Sequence, residues 1–284
     1  MSSLNQLTLT QAVNGIKSKK FSASELIQDC FDRIEKLEPH LNAFTSLDKT
    51  NALTKAQKID FDKPLAGVPI AVKDNFCIKG LKTTASSNLL KNYTAQYTAT
   101  VVSKLEDAGA IIVGKNNMDA WAHGSSTETS DFGPSKNPWN FDYLPGGSSG
   151  GSAAAIAADE VIAAIGTETA GSIRQPSAWC GVVGLKPTYG RVSRYGIIAM
   201  ASSMDCPGPI TKTVDDAALI LSLISGHDIH DATSLPQKPL NLDLSKKDLK
   251  GLKIGLPKAY LPDNIHPAVK DLILQAAQTL KSLG

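Results

Sequence analysis

Apolar residues recur at three- and four-residue spacing from Leu9 to Lys17 and again from Ser22 to Leu37, the period that lines one face of a helix. Ser22 followed three residues later by Glu25 is a capping-box pattern at the second start, and Pro39 is expected to close that helix. A shorter helix is expected over Asn51 to Ile59. The pattern then changes. Val68-Pro69-Ile70-Ala71-Val72 is a short apolar run ending in Lys73-Asp74-Asn75, the form of a buried strand whose C-terminal end opens into a site. A helix over Thr100 to Ala108, a strand over Ala110 to Gly114 and a polar loop over Ala122 to Asn137 follow. An alanine-rich helix at Ala153 to Ala158 and strands at Val161 to Ile165 and Gly181 to Leu185 complete a strand-helix-strand alternation, which predicts an α/β fold with a sheet covered on both faces.

Further on, Thr213 and Asp216 form another capping-box pattern before the apolar helix Ala217 to Ile224, which ends at Gly226. His227 to Lys250 reads as a polar, proline-dotted surface connection, Leu252 to Leu256 as a strand and Pro267 to Leu283 as an amphipathic helix. Three regions are expected: an N-terminal helical segment over 1–64 packing on the core, the α/β core over 65–226, and a connection over 227–284 that begins a further part of the same domain. The pattern halts after a helix, where a partner strand is expected to begin, so the chain reads as part of a longer protein.

Composition excludes several classes. With 42% apolar and 20% charged residues the chain has ample material for a core, and 29 basic against 27 acidic residues give no field that would draw it to nucleic acid or an anionic membrane. Cys30, Cys77, Cys180 and Cys206 are scattered without a C-x-x-C pair, which predicts reduced thiols and a cytoplasmic location. No run approaches 18 uninterrupted apolar residues, so no membrane role is expected.

The candidate chemistry gathers around Gly146-Gly147-Ser148-Ser149-Gly150-Gly151-Ser152. A Gly/Ser linker would have this composition. Against it, the stretch lies between periodic apolar segments, and 24 residues after Ser148 a second glycine-flanked serine arrives in Thr169-Ala170-Gly171-Ser172. A phosphate-cradling loop would need a Gly-Lys-Ser/Thr or G-x-G-x-x-G ending, and neither is present.

Two serines on tight turns point to nucleophilic catalysis, which also requires a base and donors for a developing oxyanion. None of the five histidines lies in the serine turns, and G-x-S-x-G is absent in its nucleophile-elbow setting. A lysine serves as base when neutral, and Lys73 leaves a packed strand, where burial disfavours its ammonium. One serine would then relay the proton between lysine and nucleophile. The small residues before Ser172 let the backbone N–H groups of Thr169, Ala170, Gly171 and Ser172 turn toward one point as an oxyanion hole. Two other features have plainer readings. His227-Asp228-Ile229-His230-Asp231 lacks a third ligand and reads as a solvated loop, so no metal is expected, and Cys180 beside Trp179 and Val182 reads as a buried, inert thiol.

Lys73, the turn from Gly146 to Ser152 and Gly171-Ser172-Ile173-Arg174 resemble the amidase signature family. The resemblance implies a mixed, mostly parallel central sheet, with Ser172 as nucleophile, Ser148 as a bridging serine on a cis peptide and Lys73 as base. The stretch from Gly184 to Gly196 and Ala201-Ser202-Ser203 resemble the branch that provides the glutaminase component of tRNA-dependent amidotransferases. That branch implies glutamine as substrate, with Gly124 and Ser125 among its binding residues. It also implies B and C partner subunits that handle aminoacyl-tRNA, ATP and Mg, with no cofactor held by this chain. Stand-alone hydrolysis of a small amide and a noncatalytic scaffold are the other readings. The chain departs from the family pattern at two positions, with Glu168 for Asp and Ala170 for Gly, where an added methyl would narrow the oxyanion loop and forgo glycine's access to positive φ.

Overall fold

The computed structural model describes residues 3–242, 244 and 249–284. The chain divides into two units, Met1–Leu242 and Asp243–Gly284. In the first, α1 spans Leu9–Lys17 and α2 spans Ala23–Leu41, both opened by reciprocal capping boxes, Thr8 with Gln11 and Ser22 with Glu25. Pro39 does not close α2. The helix runs on to Leu41 and ends at Asn42 in the left-handed conformation, because the Glu38 side chain accepts the N–H groups of Ala43 and Phe44 and holds the chain in line past the proline.

A six-stranded sheet follows, in the order β1-β3-β2-β4-β6-β5. Its strands are β1 Phe44–Leu47, β2 Pro69–Lys73, β3 Ile111–Asn116, β4 Ala163–Glu168, β5 Val183–Gly184 and β6 Cys206–Thr211. β2 runs parallel to both β3 and β4, while β1 and β6 run against their neighbours, so four of the six strands share one direction. All residues of β2, β3 and β4 are buried. This explains their near-continuous apolar character. The helices α3 Lys49–Ala56, α4 Thr100–Asp107, α5 Gly150–Ala157, α6 Arg174–Cys180 and α7 Val214–Ile224 complete the unit. One hydrophobic cluster joins Leu26, Ile27 and Ile34 of α2 to Ile70, Ile112, Ile165 and Ile220.

β1, β6 and α6 are additions to the sequence expectation. Cys206-Pro207-Gly208-Pro209 carries two prolines and a glycine, yet β6 pairs antiparallel with β4 along Cys206–Ile210. Its other side meets β5 only at Ile210 and Thr211, so the prolines lie along a near-edge stretch, where the loss of an N–H is tolerated. In α6 the proline is the third helical residue, where its missing N–H is not needed. Asp216 departs from the capping box expected at α7. Thr213 Oγ1 does accept from its N–H, but the Asp216 carboxylate turns away to accept from Leu9 N, Thr10 N and Thr10 Oγ1 at the start of α1.

The 227–231 segment is likewise not a free loop. Both histidines are exposed, while Asp228 and Asp231 are buried; Asp228 accepts from Ser193 and Thr100, and Asp231 pairs with Arg194. Residues 243 and 245–248 of the expected connection lie outside the described residues. In the second unit Leu252–Leu256 forms no strand, since no strand pairs with it among the described residues, and α8 spans Pro267–Ser282 with His266 as its N-cap. Among the described residues no helix is long and apolar enough to cross a membrane.

Glu160, in the turn between α5 and β4, is fully buried, and neither carboxylate oxygen has a hydrogen-bond partner among the described residues. Burial first, and the nearby Glu38 second, push its carboxyl well above the ordinary value of 4.5. Because the folded state holds this proton and the unfolded chain releases it, stability falls as pH rises from about 4.5 toward the raised value, by up to about 1.4 kcal/mol per pH unit. Glu160→Gln keeps the shape and removes the titration. Thermal melts at pH 5 and pH 8 are expected to show the variant gaining on the parent at pH 8, and equal differences at both pH values would exclude this account.

Candidate active site

Because β2 and β4 are parallel neighbours with Val72 opposite Ile165, their carboxyl ends bring Lys73 beside Thr167. That is the end of an α/β sheet at which sites form. The Lys73 side chain is fully buried, and its Nζ lies 2.7 Å from Ser148 Oγ, 3.0 Å from Thr167 Oγ1 and 3.2 Å from the Thr167 carbonyl. Burial drives its pKa down to about 7, against the opposing pull of the Asp119, Asp205 and Glu168 carboxylates. An amine with this pKa is a base at neutral pH, and a hydroxyl stands against it.

Ser148 sits at the mouth of α5, after a cis Gly147–Ser148 peptide bond. α5 packs closely enough that a Cβ on Gly151 would lie 2.4 Å from Asn117 O and 2.5 Å from Ala43 O, which explains why glycine opens the helix. Ser149 N–H donates to the Ser172 carbonyl at 3.1 Å and so joins the two serine turns. Ser172 is nearly buried, at 8% exposure. Among the described residues its hydroxyl makes no hydrogen bond, and none links it to Ser148 Oγ.

The loop before Ser172 is shaped by Glu168. Its buried carboxylate accepts from Ile173 N, Arg174 N and Arg174 Nε and pairs with Arg174 Nη2, closing the loop on itself. Burial raises this carboxyl, but those donors outweigh it and hold the pKa below the ordinary carboxylate value. Ala170 does not take a positive φ; Gly171 does, at +122°. The methyl at 170 therefore meets no backbone conflict, because the residue that needs glycine's freedom is the next one. Among the described residues the N–H groups of Thr169, Ala170, Gly171 and Ser172 donate to no protein acceptor.

Gly124 and Ser125 lie beside the first serine turn. Gln175 clamps Ser125 there, accepting from Gly147 N at 2.9 Å and donating to Ser125 O at 3.0 Å. Asp119 organises the same loop by accepting from Ser126 N and Thr127 N. Behind Lys73, Asp74 and Lys115 form a fully buried ion pair at 2.8 Å. Cys180 is buried and its thiol is pushed up to about 12 by desolvation, so it is no nucleophile. No group of three or more metal-binding side chains occurs among the described residues.

A profile of the Amidase family matches residues 25–284. The chain belongs to the amidase family. The A subunit of glutamyl-tRNA(Gln) amidotransferase from Lawsonia intracellularis is 52% identical, over 100% of this chain and 60% of that protein. Its counterpart from Carboxydothermus hydrogenoformans is 50% identical, over 99% of this chain and 60% of that protein. The chain thus spans about 60% of the length of the curated relatives it matches. Among solved structures, the A subunit of glutamyl-tRNA(Gln) amidotransferase from Thermotoga maritima superposes with a TM-score of 0.91 at 41% identity, covering 100% of this chain and 61% of the other. A bacterial aryl acylamidase of the amidase signature family superposes at 0.88 with 33% identity, covering 100% and 60%.

Proposed function

We propose that this chain is the glutaminase part of a tRNA-dependent amidotransferase, with Ser172 as nucleophile, Ser148 as proton relay and Lys73 as base. The observation that carries the chemistry is the buried 2.7 Å hydrogen bond between Lys73 and Ser148, beside a serine loop whose backbone donors are free. Ser172 Oγ attacks the glutamine side-chain carbonyl while its proton passes to Ser148 and the Ser148 proton passes to Lys73. The carbonyl oxygen gathers negative charge against the N–H groups of residues 169–172. Collapse expels ammonia, which takes its third hydrogen from the lysine through the same relay, and water then releases glutamate from Ser172. Gly124 and Ser125, the latter held next to Gly147 by Gln175, are the proposed wall of the glutamine pocket.

The acceptor side of the reaction rests on the likeness to the amidotransferase relatives. B and C subunits would use the ammonia, with ATP and Mg, to convert Glu-tRNA(Gln) or Asp-tRNA(Asn) to Gln-tRNA(Gln) or Asn-tRNA(Asn) in the cytoplasm. The likeness to an aryl acylamidase favours stand-alone amide hydrolysis as the second reading. Supplying amide-labelled ¹⁵N-glutamine to the co-expressed subunits distinguishes them. Label in the aminoacyl-tRNA supports the first reading, whereas hydrolysis of simple amides without partners and no label transfer supports the second.

A further inference from the structure

We propose that Thr167, oriented by Asn75, is the seat for the protonated form of Lys73, a positioning residue that receives the ammonium created when the base takes its proton. This rests on Lys73 being the base. An ammonium carries three N–H donors, and three acceptors surround Nζ: Ser148 Oγ, Thr167 O and Thr167 Oγ1. Thr167 supplies two of them. The site is therefore complementary to the charged lysine that forms during attack, more than to the neutral amine that precedes it.

In the neutral amine one of these contacts must reverse, with a hydroxyl donating into the nitrogen lone pair. The carbonyl cannot do this, so the choice lies between the Ser148 and Thr167 hydroxyls. Asn75 orients the Thr167 hydroxyl. Its Nδ2 donates to Ile198 O at 3.3 Å and to Thr167 Oγ1 at 3.0 Å. Because Ile198 O can only accept, the nitrogen of this amide is the atom that faces both groups. Accepting from Asn75 leaves Thr167 Oγ1 a second lone pair for the ammonium, while the donor into the neutral amine is Ser148, the hydroxyl that relays the Ser172 proton. That is the direction the proton travels when Ser172 attacks.

The charged groups nearby do not replace this contact. Asp119, Asp205 and Glu168 all favour the ammonium through space. None hydrogen-bonds to it. Asp119 accepts from the 126–129 loop, Asp205 from Thr169, Met200 and Ala201, and Glu168 from Ile173 and Arg174. Lys115 is engaged with Asp74.

The test compares Thr167→Val, Thr167→Ser and Asn75→Ala with the parent in the assembled enzyme. Two quantities are read from pH 5.5 to 9: glutaminase kcat/KM, and the rate at which a fluorophosphonate acylates Ser172. Losing one acceptor of the ammonium is expected to lower the midpoint of the acidic limb by about one pH unit in Thr167→Val, with a plateau roughly 10- to 100-fold lower. Thr167→Ser is expected to restore both, and Asn75→Ala to shift the midpoint the same way by less. A folded Thr167→Val with the parental midpoint overturns the proposal. Should that variant not fold, an unshifted Asn75→Ala overturns it instead. Parental glutaminase activity in Lys73→Ala would sink the assignment of the base itself, which separates the two failures.

Discussion

Replacing Ser172 with alanine is expected to abolish glutamine-dependent amidation while amidation driven by added ammonium continues at the parental rate. Only the source of ammonia passes through the nucleophile. The expected loss of glutaminase activity is on the order of 10⁴-fold or more, as for other nucleophiles that act as a unit with their base. The substitution should spare the fold. The Ser172 hydroxyl has no hydrogen bond to lose among the described residues, and its carbonyl still accepts from Ser149. Equal loss of both activities, in a variant with unchanged melting temperature, would show that Ser172 does not act as the nucleophile.

Lys73 is expected to show the second-largest effect, and its pH dependence carries a definite sign. Burial lowers its pKa to about 7, so protonation below that value removes the base and activity should rise with pH through it. Lys73→Arg keeps a positive charge that releases no proton at working pH. Lys73→Ala removes the amine altogether. Both are expected to lower glutaminase activity by about 10²-fold or more while ammonia-driven activity persists. The two variants are measured side by side with folding checked by circular dichroism, and an arginine variant as active as the parent would exclude the general-base role.

Much of this site was legible in the residues because its parts are local. The strand ending in Lys73, the two glycine-flanked serines and the alanine-rich helix between them each announce themselves within a few positions. The partners of Lys73 do not. Thr167 meets it, and Asn75 meets Thr167, only because β2 and β4 pair in one register, and pairing between distant strands leaves no mark within either segment. The same reason hid β6, whose prolines are permitted by what lies beside them and not by their neighbours in sequence. Pro39 misled in the opposite direction, since a side chain, Glu38, holds the backbone in line where local preference predicts a stop. The departures at 168 and 170 were visible, but their accommodation in the loop was not. It depends on Glu168 reaching forward to Ile173 and Arg174, and on the positive φ falling at Gly171.

The Asp216 carboxylate that caps α1 lies 207 residues beyond Leu9. A closure of that span is entropically late in any folding route. On the ribosome, which releases the chain from its N-terminus, α1 has its local Thr8–Gln11 cap early but has to wait for nearly the whole first unit to emerge before Leu9 and Thr10 meet Asp216. Until then the helix that buries Leu9, Ala12, Val13 and Ile16 also lacks its contacts with α7. Although α1 is made before the other helices of this unit, its contact with Asp216 forms only once residue 216 has appeared, and that interval is when a nascent chain of this protein has the most to gain from a chaperone.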